Sequence, residues 1–213
     1  MASLTNIQDQ YEIALQDYGD RVEALLGGTN VRDKSIATAI TEWYSETLPL
    51  IKTVLVAANA TGRYAVPGDW EQWSRIVSIE TPIDLNPPAY FSQEKLAIHR
   101  IESGLIYALY PNPSGSFRLS YTTVHNAAAP TTIPSSHESC IGKYAASMAL
   151  IDLASFFAKT EHTNLDSVNY RTKEQESRSV SKELRAAAIR ELDFSAAKQS
   201  WNADVETKYG GWR

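Results

Sequence analysis

The spacing of apolar residues changes twice along this chain, and that double change limits its fold more than any other feature. From Ile7 to Leu26, the residues Tyr11, Leu15, Tyr18, Val22, Leu25 and Leu26 recur at helical intervals. Glu12, Asp17, Asp20 and Glu23 fall largely on the other side. Gly27-Gly28 then supplies a helix stop. A second helical stripe, Ile36, Ala39, Ile40, Trp43 and Tyr44, runs from an Asp33 N-cap to Leu48, with Pro49 ending it.

Beyond Pro49 the period shortens. Six β-branched and aromatic runs begin at Ile51, Tyr64, Arg75, Glu94, Leu105 and Phe117, and each reads as a strand. Asn59-Ala-Thr-Gly, Val66-Pro-Gly-Asp, Leu85-Asn-Pro-Pro and Pro111-Asn-Pro-Ser-Gly separate them as turns. Phe117, Leu119 and Tyr121 alternate with Arg118 and Ser120, which predicts one buried and one wet face. Pro130 and Pro134 mark residues 126–134 as a linker.

Helical spacing returns after Ser135. Ile141, Tyr144, Ala145, Met148, Ala149, Ile151, Leu153, Phe156 and Phe157 make this helix apolar on nearly every side, which predicts burial. The polar stretch 160–179 reads as a mobile loop, followed by a last helix from Ser179 or Ser181 toward Tyr209. The pattern predicts an α+β protein. Residues 1–48 and 133–209 form a discontinuous four-helix bundle, 49–132 an inserted antiparallel β-sandwich or open barrel, and 210–213 a tail. The first and last helices are expected to pack on each other, since an amphipathic helix is stable chiefly through burying its stripe.

Composition narrows the function. The net charge of −5 leaves no overall positive field for nucleic acid. Charge is nonetheless uneven: residues 1–46 carry eight acidic and three basic groups, residues 171–213 seven and nine. The two ends are therefore complementary, within a subunit or between neighbours. The single cysteine, Cys140, forms no internal disulfide, and no continuous apolar run approaches about 18 residues, so no membrane span is expected. The first residues lack the basic start and apolar stretch of a secretory signal, which suggests synthesis in the cytoplasm.

Catalytic signatures are sparse. His137 and Cys140 stand three residues apart and would share a helix face, so a Cys-His nucleophile pair is formally conceivable. The plainer reading is a partly exposed capping histidine beside a buried cysteine. His99 reads as an ordinary sheet residue. The histidines at 99, 125, 137 and 162 include no metal-binding motif, and Asp166, Glu174 and Glu176 lack the spacing and glycine of a calcium loop. No phosphate-binding glycine loop joins a strand to a helix. No cofactor or metal is expected, and a non-enzymatic role is favoured. Five tryptophans and eleven tyrosines instead suggest contact surfaces, with Trp212 stranded after Gly210-Gly211.

The order of elements carries a resemblance. Two N-terminal helices end in Glu42-Trp-Tyr-Ser-Glu-Thr-Leu-Pro. A β insertion carries Arg75-Ile-Val-Ser-Ile-Glu-Thr-Pro-Ile-Asp-Leu-Asn-Pro-Pro, and Ala/Leu-rich helices follow it. From about residue 5 to 205, this order resembles the head-tail adaptor (connector, head completion) proteins of tailed bacteriophages. The resemblance implies a virion protein of the neck, assembled in the host cytoplasm as a ring, usually of twelve subunits. Such a ring sits under the portal, binds a further neck or tail protein, and leaves a channel through which DNA passes without being held. It implies portal contact through the C-terminal helix and tail, at Leu184, Ile189, Leu192, Trp201, Tyr209 and Trp212. Neck or intersubunit contact would fall on Arg75, Glu80, Phe117, Arg118 and Tyr121. Two other readings compete: a tail terminator or other oligomeric virion protein, and an enzyme of unidentified hydrolase class.

Overall fold

A computed structural model describes residues 1–27, 29–57, 62–71, 74–81, 94–95, 98–102, 104–110, 117–161 and 167–209. The protein is α+β. Contacts divide it into two units, residues 1–47 with 125–213, and residues 48–124. The β unit therefore ends at Val124 rather than near residue 132. Residues 125–134 belong with the helices: Ile133 is buried there, and its carbonyl accepts the Ala2 N–H at 2.7 Å.

The helical unit opens with α1 (Leu4–Leu15), whose Ser3 hydroxyl caps it by accepting the Asn6 N–H. The expected single helix through Leu26 is broken. Gln16–Tyr18 forms a tight turn closed by three-residue hydrogen bonds, and α2 (Gly19–Leu26) restarts after it. Gly19, a poor helix former, makes that break inexpensive. The turn lets the Leu15 and Val22 stripes both bury, with α1 and α2 each packed on α5. Gly27 ends α2 with φ 92°, the left-handed cap its sequence predicts.

The next helix starts at Thr29, four residues before the expected cap. The Asp33 carboxylate is instead taken by Arg32 and Gln8. This α3 (Thr29–Thr38) becomes π-helical over Ala39–Tyr44 and closes with α4 (Ser45–Thr47). After a short 3₁₀ turn at Ser135–His137 comes α5 (Glu138–Glu161), the central helix. The stretch Ser135–Thr160 is long and apolar enough, by length and composition, to cross a membrane. In this structure it serves as core. Ile141, Ala145, Ala149, Leu150, Leu153 and Ala154 are fully buried, each large aliphatic contributing roughly 1.5–3 kcal/mol.

The last helix, α6 (Ser167–Tyr209), starts a dozen residues before its expected beginning, so residues 167–179 are helix rather than loop. A few contacts hold that polar segment on α5. Tyr170 packs against Phe157 at 6.1 Å, Lys173 sits over both rings, and Ser177 is fully buried. The expected pairing of first and last helices is corrected as well. Both α1 and α6 pack chiefly on α5, which lies between the N-terminal helices and α6. An all-round apolar helix can serve two partners, whereas a striped helix serves one.

The β unit holds two antiparallel sheets. One has the order β1 (Leu50–Val56), β7 (Phe117–Thr123), β3 (Ile76–Thr81), β4 (Glu94–Lys95). The other has the order β2 (Arg63–Ala65), β6 (Leu105–Tyr110), β5 (Ile98–Glu102). Phe117, Leu119 and Tyr121 of β7 share a core with Ile79 of β3, Tyr64 of β2 and Ile106 of β6. The Tyr64 and Phe117 rings meet edge to face at 4.7 Å. Ser120, expected on the wet face, is buried, and a 3.0 Å hydrogen bond with Thr53 across the β1–β7 ladder satisfies its hydroxyl there.

Candidate functional site

Two features of the helical unit stand out, the course of α6 and the polar cluster where the chain leaves for the β unit and returns. Three contacts set the pairing of α6 with α5. Phe157 meets Tyr170, the Ser181 hydroxyl donates to the Ser147 carbonyl at 2.8 Å, and Lys143 pairs with Glu191 at 2.6 Å. The helices are therefore antiparallel, and Glu138, the first residue of α5, lies level with roughly residue 196 of α6. With 43 residues against 24, α6 is about 64 Å long and α5 about 36 Å. The last dozen or so helical residues continue past the start of α5. In sequence this stretch carries Trp201, Val205 and Tyr209 at four-residue intervals.

The candidate portal residues separate accordingly. Leu184 is half-buried and Ile189 exposed, with Phe194, five residues on, at 73% exposure. Leu192 is buried in the helical core, so it is corrected from contact to packing residue. Trp201 and Tyr209 lie on α6, and Trp212 falls outside the described residues. Phe194 was missed by sequence reasoning because it precedes a run of small residues and belongs to no stripe.

The candidate neck or intersubunit residues divide too. Phe117 and Tyr121 are core side chains at 1% exposure, which corrects their assignment as contacts. Their alternation with Arg118 and Ser120 already places them on a buried face, and they sit in one cluster with Tyr64, Ile79 and Ile106. The Tyr121 hydroxyl donates to Asp69, whose carboxylate also takes Lys52. The Lys52 ammonium first, and then Tyr121, hold Asp69 below the usual carboxylate range. Arg75 is exposed; its N–H donates to the Thr122 hydroxyl and its carbonyl accepts the Thr122 N–H. Arg118 is half-buried and pairs in register with Glu80 of β3. Exposed apolar groups appear where none was expected, with Ile51 and Leu55 of the edge strand β1 at 58% and 62% and Val77 of β3 close behind.

The second feature surrounds Tyr44. Its hydroxyl and His137 Nδ1 share a 2.7 Å hydrogen bond, and both residues are buried. Ser45 donates to the Ile40 carbonyl and accepts the His125 N–H at 2.9 Å. His125 Nδ1 shares a 2.7 Å bond with Thr132 Oγ1. Trp43 stacks flat on Tyr144 at 4.1 Å, with Arg185 over the same ring. His137 is thus fully buried rather than partly exposed, and Cys140 is buried as expected.

The geometry does not make a Cys-His nucleophile. The Cys140 thiol donates to the His137 carbonyl at 3.0 Å, while the ring engages Tyr44. Burial pushes the thiol pKa up to about 12, so it stays protonated. Among the described residues, no group of three or more His, Cys, Asp and Glu is placed to hold a metal ion. His99 lies in β5 opposite Ala108, Glu174 pairs with Arg178, and His162 and Asp166 fall outside the described residues. No protein-family model matches the chain, and no curated protein is similar enough to establish a relationship.

Proposed function

We propose that the protein is a non-enzymatic head-tail adaptor of a tailed bacteriophage, forming a ring beneath the portal that joins the DNA-filled head to the neck or tail. The observation that carries this reading is the length of α6 relative to α5. A helix that continues about 20 Å beyond its packing partner, with aromatic residues at helical spacing, is suited to reach another protein. In this reading the helical unit is the four-helix bundle of such an adaptor, and the two sheets around Tyr64 and Phe117 are its inserted sandwich. Ile51, Leu55 and Val77 are then candidates for contact between neighbouring subunits or with the next neck layer, alongside Arg75, Glu80 and Arg118. A closed ring needs two different complementary surfaces on each protomer, and the acidic N-terminal and basic C-terminal segments meet that need. The channel would pass DNA without holding it, and no cofactor takes part.

The test is imaging of the portal of the same virus mixed with this chain. An added ring beneath the portal is expected. A chain lacking residues 197–213 should keep its helical circular dichroism and lose the ring. Binding to the tail tube alone would replace the adaptor with a terminator, and a truncated chain that still docks would remove α6 from the contact.

A further inference from the structure

We propose that the buried Tyr44–His137 pair is an acid-sensitive latch on the Ser45–His125 junction of the helical unit, and that protonation of His137 opens it. The placement of the pair is the first ground. Chain leaves the helical unit after Thr47 and returns at His125. Ser45 and His125, beside these two crossings, are joined by the 2.9 Å bond from the His125 N–H to the Ser45 hydroxyl. Tyr44 is the residue before Ser45, and its ring lies 5.1 Å from His125 and 5.7 Å from His137. The side chain that holds Tyr44 therefore lies one residue from the bond that ties these two segments of the helical unit together.

The second ground is what surrounds the imidazole. His137 is 1% exposed, and its Nε2 is buried with no hydrogen-bond partner. A neutral ring leaves one modest polar atom unsatisfied there, whereas an imidazolium places an unmatched N–H and a full charge in the same spot. The surrounding elements offer little compensation. Tyr44, from the π-helical turn, is buried and stays neutral, its pKa raised chiefly by burial. Cys140 of α5 stays a thiol. Glu191 of α6 favours the charged ring, but its carboxylate is already paired with Lys143. His125, whose ring packs on Tyr44, is engaged by Thr132, and Glu138, the residue after His137, accepts from the Ser3 N–H and the Asn6 amide. Burial outweighs Glu191 and holds the His137 pKa below its usual value.

The sign follows from linkage. A base whose folded pKa is depressed costs no stability while pH stays above the unfolded value of about 6.5. Below that, the opened state takes up a proton that the closed state resists, so opening becomes progressively easier. At pH 5.5 the linked opening constant rises by up to about tenfold.

The measurement is amide hydrogen exchange at pH 7.5 and 5.5 in the full chain, read on peptides covering 44–50 and 120–130. Wild type is compared with His137→Asn at each pH, which cancels the intrinsic pH dependence of exchange. The asparagine amide reaches the Nδ1 position and cannot titrate. The wild-type to variant ratio is expected to rise by up to about tenfold on acidification. An unchanged ratio overturns the latch. Should His137→Asn fail to fold, imidazole NMR of the wild type decides: a His137 midpoint below the ordinary value, with exchange rising in step, supports it. A midpoint at or above the ordinary value overturns it.

Discussion

At the scale of single residues, α5 comes very near α1 at Gly142. A Cβ built there would lie 2.7 Å from the Gln10 Cβ and 2.9 Å from both the Gln10 carbonyl carbon and the Tyr11 nitrogen. The obstacle includes α1 backbone, so a side chain at 142 cannot be accommodated by a rotamer change. Alanine would favour α5 as a helix by up to about 1 kcal/mol. Pushing α1 away loosens the buried Ile7, Tyr11 and Leu15 and costs about 1–3 kcal/mol. Gly142→Ala should therefore lower the urea midpoint, and an unchanged or raised midpoint would show that α1 is not seated on α5 this closely. The glycine stands out in the sequence as a break in an apolar helix, but its reason does not, because the partner is 132 residues away. The same holds for His137. Its spacing from Cys140 was legible, while the partner of its buried ring is Tyr44, 93 residues earlier in the chain.

Among elements, the strands were the most legible. Each of the six predicted runs contains a strand, and the Glu94 run divides into β4 and β5. Strand patterns are short and bounded by proline and glycine, so local chemistry nearly suffices to place them. The helices were harder because their limits depend on partners. Residues 167–179 are polar enough to read as loop, yet the Glu174–Arg178 pair at i,i+4 and the ring contacts with Phe157 keep them helical. That account is testable. Tyr170→Ala removes the anchor, at a cost of about 0.5–1.5 kcal/mol beyond the lost burial. Exchange protection should fall in 167–179 while α5 keeps its own. Equal protection in wild type and variant would mean that intrinsic helix propensity, rather than docking on Phe157, orders the segment.

For the whole molecule, periodicity gave the order helices, strands, helices, but it misassigned the centre. The expectation that α1 meets α6 treated every helix as a one-sided stripe. The evenly apolar α5 instead receives both sets, and so joins the two ends of the chain into one core. A core built that way makes a prediction about independence. The helical unit buries Ile7, Ile36, Ile40, Ile133, Ile141, Leu150 and Leu153 from segments on both sides of the insert. The two ends left by removing residues 48–124 are already close, because the His125 N–H bonds the Ser45 hydroxyl at 2.9 Å. A linker of a few Gly and Ser residues from Thr47 to His125 can therefore span the gap at a small loop-closure cost. The shortened chain should show helical circular dichroism and a single cooperative melt, since a unit with its own core can fold alone. A molten or aggregating product would mean that the β unit supplies part of the helical core, and the insert would then be a structural member of one domain rather than a separable module.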